Sequence, residues 1–205
     1  MSEPQPIEID HEQEIPGTLP VLPLKDTVVY PDIMVPLTIG QDRSLKLMDD
    51  VMAGNRMLTL VASRDEDLET PGPDDLYDVG TVGLAHKMVK LPDGTMRVLI
   101  QGTRRVHIDR YTKEAPYLMA DVTALEEEAP AGKETDALRS GLVSLFSKVV
   151  DLAPYLPEEL LGASANIDEP GPLTFFILSA MRLKVEDKQP LLEAERERLA
   201  FFNTL

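Results

Sequence analysis

Cysteine and tryptophan are both missing from the 205 residues, and histidine occurs only three times. The absence of cysteine excludes a disulfide framework, a thiolate zinc site and a cysteine nucleophile. Long apolar runs are missing as well. Phe175-Phe176-Ile177-Leu178 is among the longest, whereas a helix needs about 20 apolar residues to span a bilayer, so no membrane partner is expected. Positive charge is scarce: 20 Lys and Arg stand against 36 Asp and Glu, for a net charge of −16. The acidity is spread along the chain rather than held in a tail. No nucleic-acid partner is expected, because affinity for phosphates comes largely from Lys and Arg. The opening Met1 to Glu14 lacks arginine, an apolar stretch and a cleavage-site pattern. It resembles neither a secretory signal nor a mitochondrial presequence, so a cytoplasmic location is expected.

What is present divides into three parts. Residues 1–18 form a flexible acidic leader with little that can enter a core. Residues 19–128 form a β-rich lobe, and residues 129–205 a helical bundle; Glu126-Glu127-Glu128-Ala129-Pro130-Ala131-Gly132 marks the boundary. In the first lobe, Leu19-Pro20-Val21-Leu22-Pro23-Leu24 is apolar and extended, and its prolines suit an edge strand or strand ends. Tyr30-Pro31 and Val35-Pro36 hold the next stretch extended, because a residue before proline is pushed out of the helical region. A helix is expected over Gln41 to Ala53, burying Leu45, Met48 and Met52 or Val51, and Met57 to Ala62 follows as a buried strand. Ser63 to Asp78 is an acidic surface connection.

The clearest local signal is a hairpin. Val82, Leu84, His86 and Met88 alternate on one strand, Met96, Val98 and Ile100 on the next, with Leu91-Pro92-Asp93-Gly94 between them. Proline presets φ at the second turn position, and Gly94 supplies the positive φ of a type I turn followed by a bulge. Alternation resumes at Val106 and Ile108, and again from Leu118 to Ala124. The fold class is therefore α+β, a small mixed sheet or barrel with one helix followed by helices. In the second lobe Leu138, Leu142, Leu145, Phe146, Val149 and Leu152 keep the helical period up to Pro154. A short helix is expected over Pro157 to Ala163. A third, capped by Asp168, should bury Leu173, Phe176, Ile177, Ala180 and Met181, and a fourth begins near Val185. Glu193 to Leu205 alternates charge like an exposed helix.

No complete catalytic or metal constellation emerges. His11, His86 and His107 are scattered, and His11-Glu12-Gln13-Glu14 lacks the second histidine of a zinc protease motif. Ser144 and Lys148 have the i,i+4 spacing of a serine–lysine dyad, yet both suit the polar stripe of their helix and nothing near them supplies an oxyanion hole. Gly132-Lys133-Glu134 lacks the rest of a phosphate loop, and Gly80-Thr81-Val82-Gly83 lies inside a strand, where glycines mark bulges or close packing. Asp65-Glu66-Asp67 has neither the glycine nor the glutamate of a calcium loop. Lys87, Lys90, Arg97, Arg104, Arg105, Arg110 and Lys113 form a locally basic run in an otherwise acidic chain. Outward strand positions, or contacts to an acidic protein surface, account for it better than nucleic acid does.

The stretch Leu19-Pro20-Val21-Leu22-Pro23-Leu24-Lys25-Asp26-Thr27-Val28-Val29-Tyr30-Pro31, with Val35-Pro36-Leu37 after it, closely resembles the opening of bacterial Lon proteases. Val79-Gly80-Thr81-Val82, Lys90-Leu91-Pro92-Asp93-Gly94-Thr95, Gly102 with Arg104-Arg105, and Asp187-Lys188-Gln189 with Leu192-Glu193 follow in the same order. The resemblance covers roughly residues 18–200. It implies a PUA-like pseudo-barrel lobe with one helix, followed by a small helical bundle. It also implies a non-catalytic role in capturing unfolded or degron-bearing proteins and in supporting a homohexamer. The ATPase module, with its ATP and magnesium, and the Ser–Lys peptidase module would lie beyond Leu205, so the charged end is expected to be a truncation and no cofactor is expected within the segment. Gly171-Pro172 and Pro190 depart from the usual pattern, at positions that bear on the length of the third helix and the continuity of the fourth.

The proline-pinned segment Tyr30 to Leu37, carrying Ile33, Met34 and Val35, is the expected client-binding surface. Arg43 and Lys46 of the first helix are expected to flank it. Two rival readings are a free-standing Lon-domain binding protein and a PUA-like RNA-binding module using Arg104 and Arg105.

Overall fold

The computed structural model describes residues 14–125 and 133–194. The elements run β1 (Thr18–Leu24), β2 (Met34–Ile39), α1 (Asp42–Ala53), β3 (Met57–Ala62), β4 (Val79–Lys90), β5 (Met96–Lys113) and β6 (Leu118–Ala124) in the first lobe. The second lobe holds α2 (Lys133–Leu152), α3 (Glu159–Ala165), α4 (Pro170–Ala180) and α5 (Val185–Glu193). The boundary segment 126–132, and most of the charged segment after Glu193, lie outside the described residues, as does the leader up to Gln13.

The strands pair in the order β2-β5-β4-β3-β1-β6, and a further β5–β6 pairing joins the ends. Five strands thereby close into a ring, with β2 attached outside it to the first half of β5. β1 is interior to this ring, not the edge strand its prolines suggested. It pairs antiparallel with β6 over Thr18–Val21 and parallel with β3 over Val21–Leu24. The two ladders are staggered, so Pro20 is paired only on the β6 side and Pro23 only on the β3 side. Each missing N–H can therefore face a side with no strand, which is the condition under which a sheet tolerates proline.

Local chemistry explains the β4–β5 hairpin. Gly94 has φ 86°, Leu91 N–H donates to the Thr95 carbonyl at 2.8 Å, and Gly94 N–H donates to the Leu91 carbonyl at 3.1 Å. Asp93 accepts from the Thr95 amide and hydroxyl. The expected continuous face of Val82, Leu84, His86 and Met88 is broken by bulges at Val82/Gly83 and at Ala85/Lys87. Ala85 takes the inward place opposite Ile100, and His86 accommodates the bulge by meeting the Gln101 side chain at 2.7 Å. Val89 is left facing outward.

α1 has Gln41 and Gly54 at its ends and buries Ser44, Leu47, Met48 and Val51 against Leu22, Val29, Ile39, Leu58, Val98 and Ile100. Leu45 and Met52, both expected inside, flank this cluster as partly buried residues, and Leu47 takes the central place. A second barrel cluster joins Leu19, Val21, Val61, Val106, Leu118 and Ala120.

In the helical lobe α2 buries Leu142, Phe146 and Val150. Leu152, expected on that face, is 84% exposed because the helix ends there, past its packing partners. α4 starts one residue after Glu169, which takes the N-cap place expected for Asp168. It buries more than one stripe because it is packed on two sides: Phe175 stacks on Tyr30 of the first lobe, and Phe176 meets Phe146 of α2 edge-on. Pro172 sits within its first turn, where proline costs no hydrogen bond. α5 runs on through Pro190.

The seam between the lobes is polar as well as apolar. The buried Arg105 donates to the Leu192 carbonyl at 2.9 Å, at the C-terminal end of α5 where a cation is favoured. Gln189 donates to the Val79 carbonyl at 2.9 Å, and Tyr30 Oη donates to the Lys188 carbonyl at 3.1 Å. Gly102 lies beneath Tyr30, where an added Cβ would run into the Tyr30 carbonyl oxygen.

Candidate functional site

The residues expected to form one surface divide among three environments. Tyr30 is 0% exposed. Its ring stacks on Phe175 with centroids 5.4 Å apart, and burial pushes its phenol pKa well above the ordinary value. It is a seam residue and offers nothing to a client, because the helical lobe covers it. Ile33 is half-buried against the helical-lobe core. Arg43 reaches the Pro71 carbonyl at 2.9 Å and so braces the connection between β3 and β4, with burial lowering its pKa. Lys46 is exposed on α1, and Met34 is 37% exposed at the start of β2.

Met34 belongs to an outward face that the sheet register assembles. Met34, Pro36 and Thr38 of β2 are exposed and stand opposite Gln101, Leu99 and Arg97 of β5. Leu99 and Arg97 in turn stand opposite Lys87 and Val89 of β4. Val89, 47% exposed, and Met34 are two of the four exposed large hydrophobics among the described residues. Val89 and Leu99 are the contributors that sequence reasoning missed. The signal for Val89 was the alternation itself, which puts it on the face opposite Met88. The other two exposed hydrophobics, Leu152 and Tyr155, lie in the helical lobe.

The basic run disperses in three dimensions. Arg105, expected to point outward, is 1% exposed and turned into the seam, since its guanidinium serves a helix terminus. Arg110 pairs with Asp121 at 2.7 Å and Lys90 with Asp49 at 2.8 Å. Ser144 and Lys148 are both exposed on α2. His107 meets Asp109 at the surface, and no cluster of metal-ligating side chains occurs among the described residues. No helix among them is long and apolar enough to cross a membrane.

The described residues thus form a barrel fused to a helical lobe, with an open apolar strand face on the barrel. Comparison with known proteins gives the class. Residues 18–199 match the family model of the ATP-dependent protease La (LON) substrate-binding domain, and the chain belongs to that family. It is 38% identical over 194 residues to a Lon protease of Dictyoglomus thermophilum, an alignment covering 94% of this chain and 24% of that protein. It is also 38% identical over 182 residues to a Lon protease of Azospirillum brasilense, covering 88% and 22%.

Among solved structures, the N-terminal domain of a Mycobacterium avium complex Lon protease shares the fold with TM-score 0.73 at 23% identity, covering 90% of this chain and 95% of that one. A Lon N-terminal domain protein from Xanthomonas campestris aligns with TM-score 0.65 at 18% identity, covering 91% and 97%. The chain thus spans about a quarter of the length of these curated relatives. This segment is the substrate-binding domain and lacks the ATPase and protease parts.

Proposed function

We propose that this domain captures unfolded or degron-bearing proteins for an ATP-dependent, Lon-type serine protease, through the outward face of β2 and its neighbours. The observation that carries the reading is the exposure of Met34 and Val89 on one strand face of a substrate-binding family member. Exposed apolar side chains on a folded surface suit exposed apolar stretches of a client, and native proteins keep such stretches inside. Ile33, next to Met34, is half-buried against the helical-lobe core, and Lys46, exposed on α1, is available to client charge.

In this reading the remaining modules of the longer chain hold ATP and magnesium, perform hydrolysis and assemble as a hexamer in the cytoplasm. The present domain contributes recognition and a rigid seam through which a bound client is held relative to the chain that follows. The RNA-binding alternative loses one of its two arginines, since Arg105 is spent on the Leu192 carbonyl.

Replacing Ile33 and Met34 by serine should weaken binding of an unfolded client while circular dichroism stays native. Unchanged affinity in a folded variant would remove this face from the account.

A further inference from the structure

The outer edge of β2 carries backbone groups without a strand to receive them. Gly102 N–H donates to the Ile33 carbonyl at 2.9 Å, which turns the backbone of Ile33 toward β5. Alternation along an antiparallel ladder then turns Val35, Leu37 and Ile39 toward β5, and Met34, Pro36 and Thr38 away from it. Pro36 fits that assignment, since it has no N–H for the ladder. The edge therefore presents the N–H groups of Met34 and Thr38 and the carbonyls of Met34, Pro36 and Thr38. Among the described residues no strand lies beyond it. Folded proteins usually cover or blunt such an edge. Here one proline blunts its middle and leaves a donor on each side.

We propose that this edge accepts an extended apolar client segment as an added strand, with a client carboxylate near Thr38. The inference rests on the client-binding reading above and specifies how that surface works. Backbone pairing gives affinity that depends little on sequence, and every second client side chain then lies beside Met34 or Pro36, on the face that Leu99 and Val89 share. At the Thr38 end, Arg97 stands exposed directly opposite Thr38 on the same face, with no ion pair among the described residues. A carboxylate there meets its guanidinium. The chain as a whole is acidic, so this cation selects where along an apolar segment the carboxylate sits and does not draw anions from a distance.

The test uses the 205-residue chain and a fluorescein-labelled peptide of alternating valine and threonine with one aspartate near an end, read by anisotropy. N-methylating alternate amides yields two isomers, in which either the amides facing β2 or those facing away are blocked. The first should bind about tenfold more weakly and the second within about twofold of the parent. Thr38→Pro, which deletes one edge donor, should weaken the parent peptide by about fivefold, and exchanging the aspartate for lysine should weaken it further. Equal losses from both isomers, or full affinity in a folded Thr38→Pro protein, overturn the proposal. If that variant does not fold, the two isomers decide against the unaltered protein. Reduced, carboxymethylated α-lactalbumin run in parallel separates the two readings. Its binding without sensitivity to the edge sinks the added strand and spares client recognition, while failure of both it and the peptide to bind sinks both.

Discussion

The seam between the lobes and the outer face of β2 begin within four residues of each other, yet Tyr30 is sealed and Met34 is open. At the seam every apolar ring has a partner, and the carbonyls of Val79, Lys188 and Leu192 each receive a side-chain donor. On the outer face apolar side chains are left to water and backbone groups to chance encounters. The contrast separates two uses of similar residue types. Burial with satisfied hydrogen bonds contributes stability, whereas exposure without them contributes capacity to bind, because the cost of leaving apolar area in water is recovered only when a partner covers it.

The comparison breaks most sharply at Gly102. Gly102→Ala places a methyl group against the Tyr30 carbonyl, so it should destabilise the protein by about 3 kcal/mol or more, or prevent folding, as read by urea denaturation. Tyr30→Ala should cost about 3–5 kcal/mol by emptying the place between Phe175 and the barrel. Arg105→Met, which keeps most of the volume, should cost about 2 kcal/mol by leaving the Leu192 carbonyl unpaired. That loss should appear first as protection lost from α5 in hydrogen exchange.

Tyr30→Phe is gentler, about 1 kcal/mol for the hydroxyl bond to Lys188, and it carries a pH signature. The folded pKa of Tyr30 is raised by burial, so the folded state holds its proton more tightly than the unfolded chain does. That contribution is fully present below the ordinary tyrosine value of 10.0 and is lost as pH rises from there toward the folded pKa. Tyr111, raised to about 12 chiefly by burial, adds to the same alkaline decline. Stability of Tyr30→Phe should therefore fall less steeply above pH 10.0 than that of the parent. The smallest effect on folding belongs to Met34→Ser, which should change stability by no more than about 0.5 kcal/mol while weakening client binding. A large stability loss there would mean that the face is not open.

Local chemistry made much of the fold legible. Pro92-Asp93-Gly94 encodes its own turn, Gln41 to Gly54 brackets α1, and the apolar run of β3, interrupted at Thr59, matches a strand buried along its whole length. The misreadings arose where a distant partner decides. Arg105 looks like any outward strand arginine until Leu192 arrives from 87 positions later. α4 shows no single stripe because α2 and Tyr30 approach it from different sides. Tyr30 was assigned to the open surface because its prolines predict extended backbone correctly but say nothing about what lies on top. Met34 and Lys46 were legible as exposed positions; Val89 was legible too, since the alternation that runs through Met88 puts it on the opposite face.

The most direct test of the central claim is a titration of this chain with reduced, carboxymethylated α-lactalbumin and with the native, disulfide-intact protein, beside an RNA control at moderate salt. The account predicts saturable binding of the unfolded form, none of the native form or the RNA, and a loss of about tenfold with Ile33 and Met34 both replaced by serine. Equal binding of the folded and unfolded forms, or affinity that survives the double replacement in a folded protein, would contradict it.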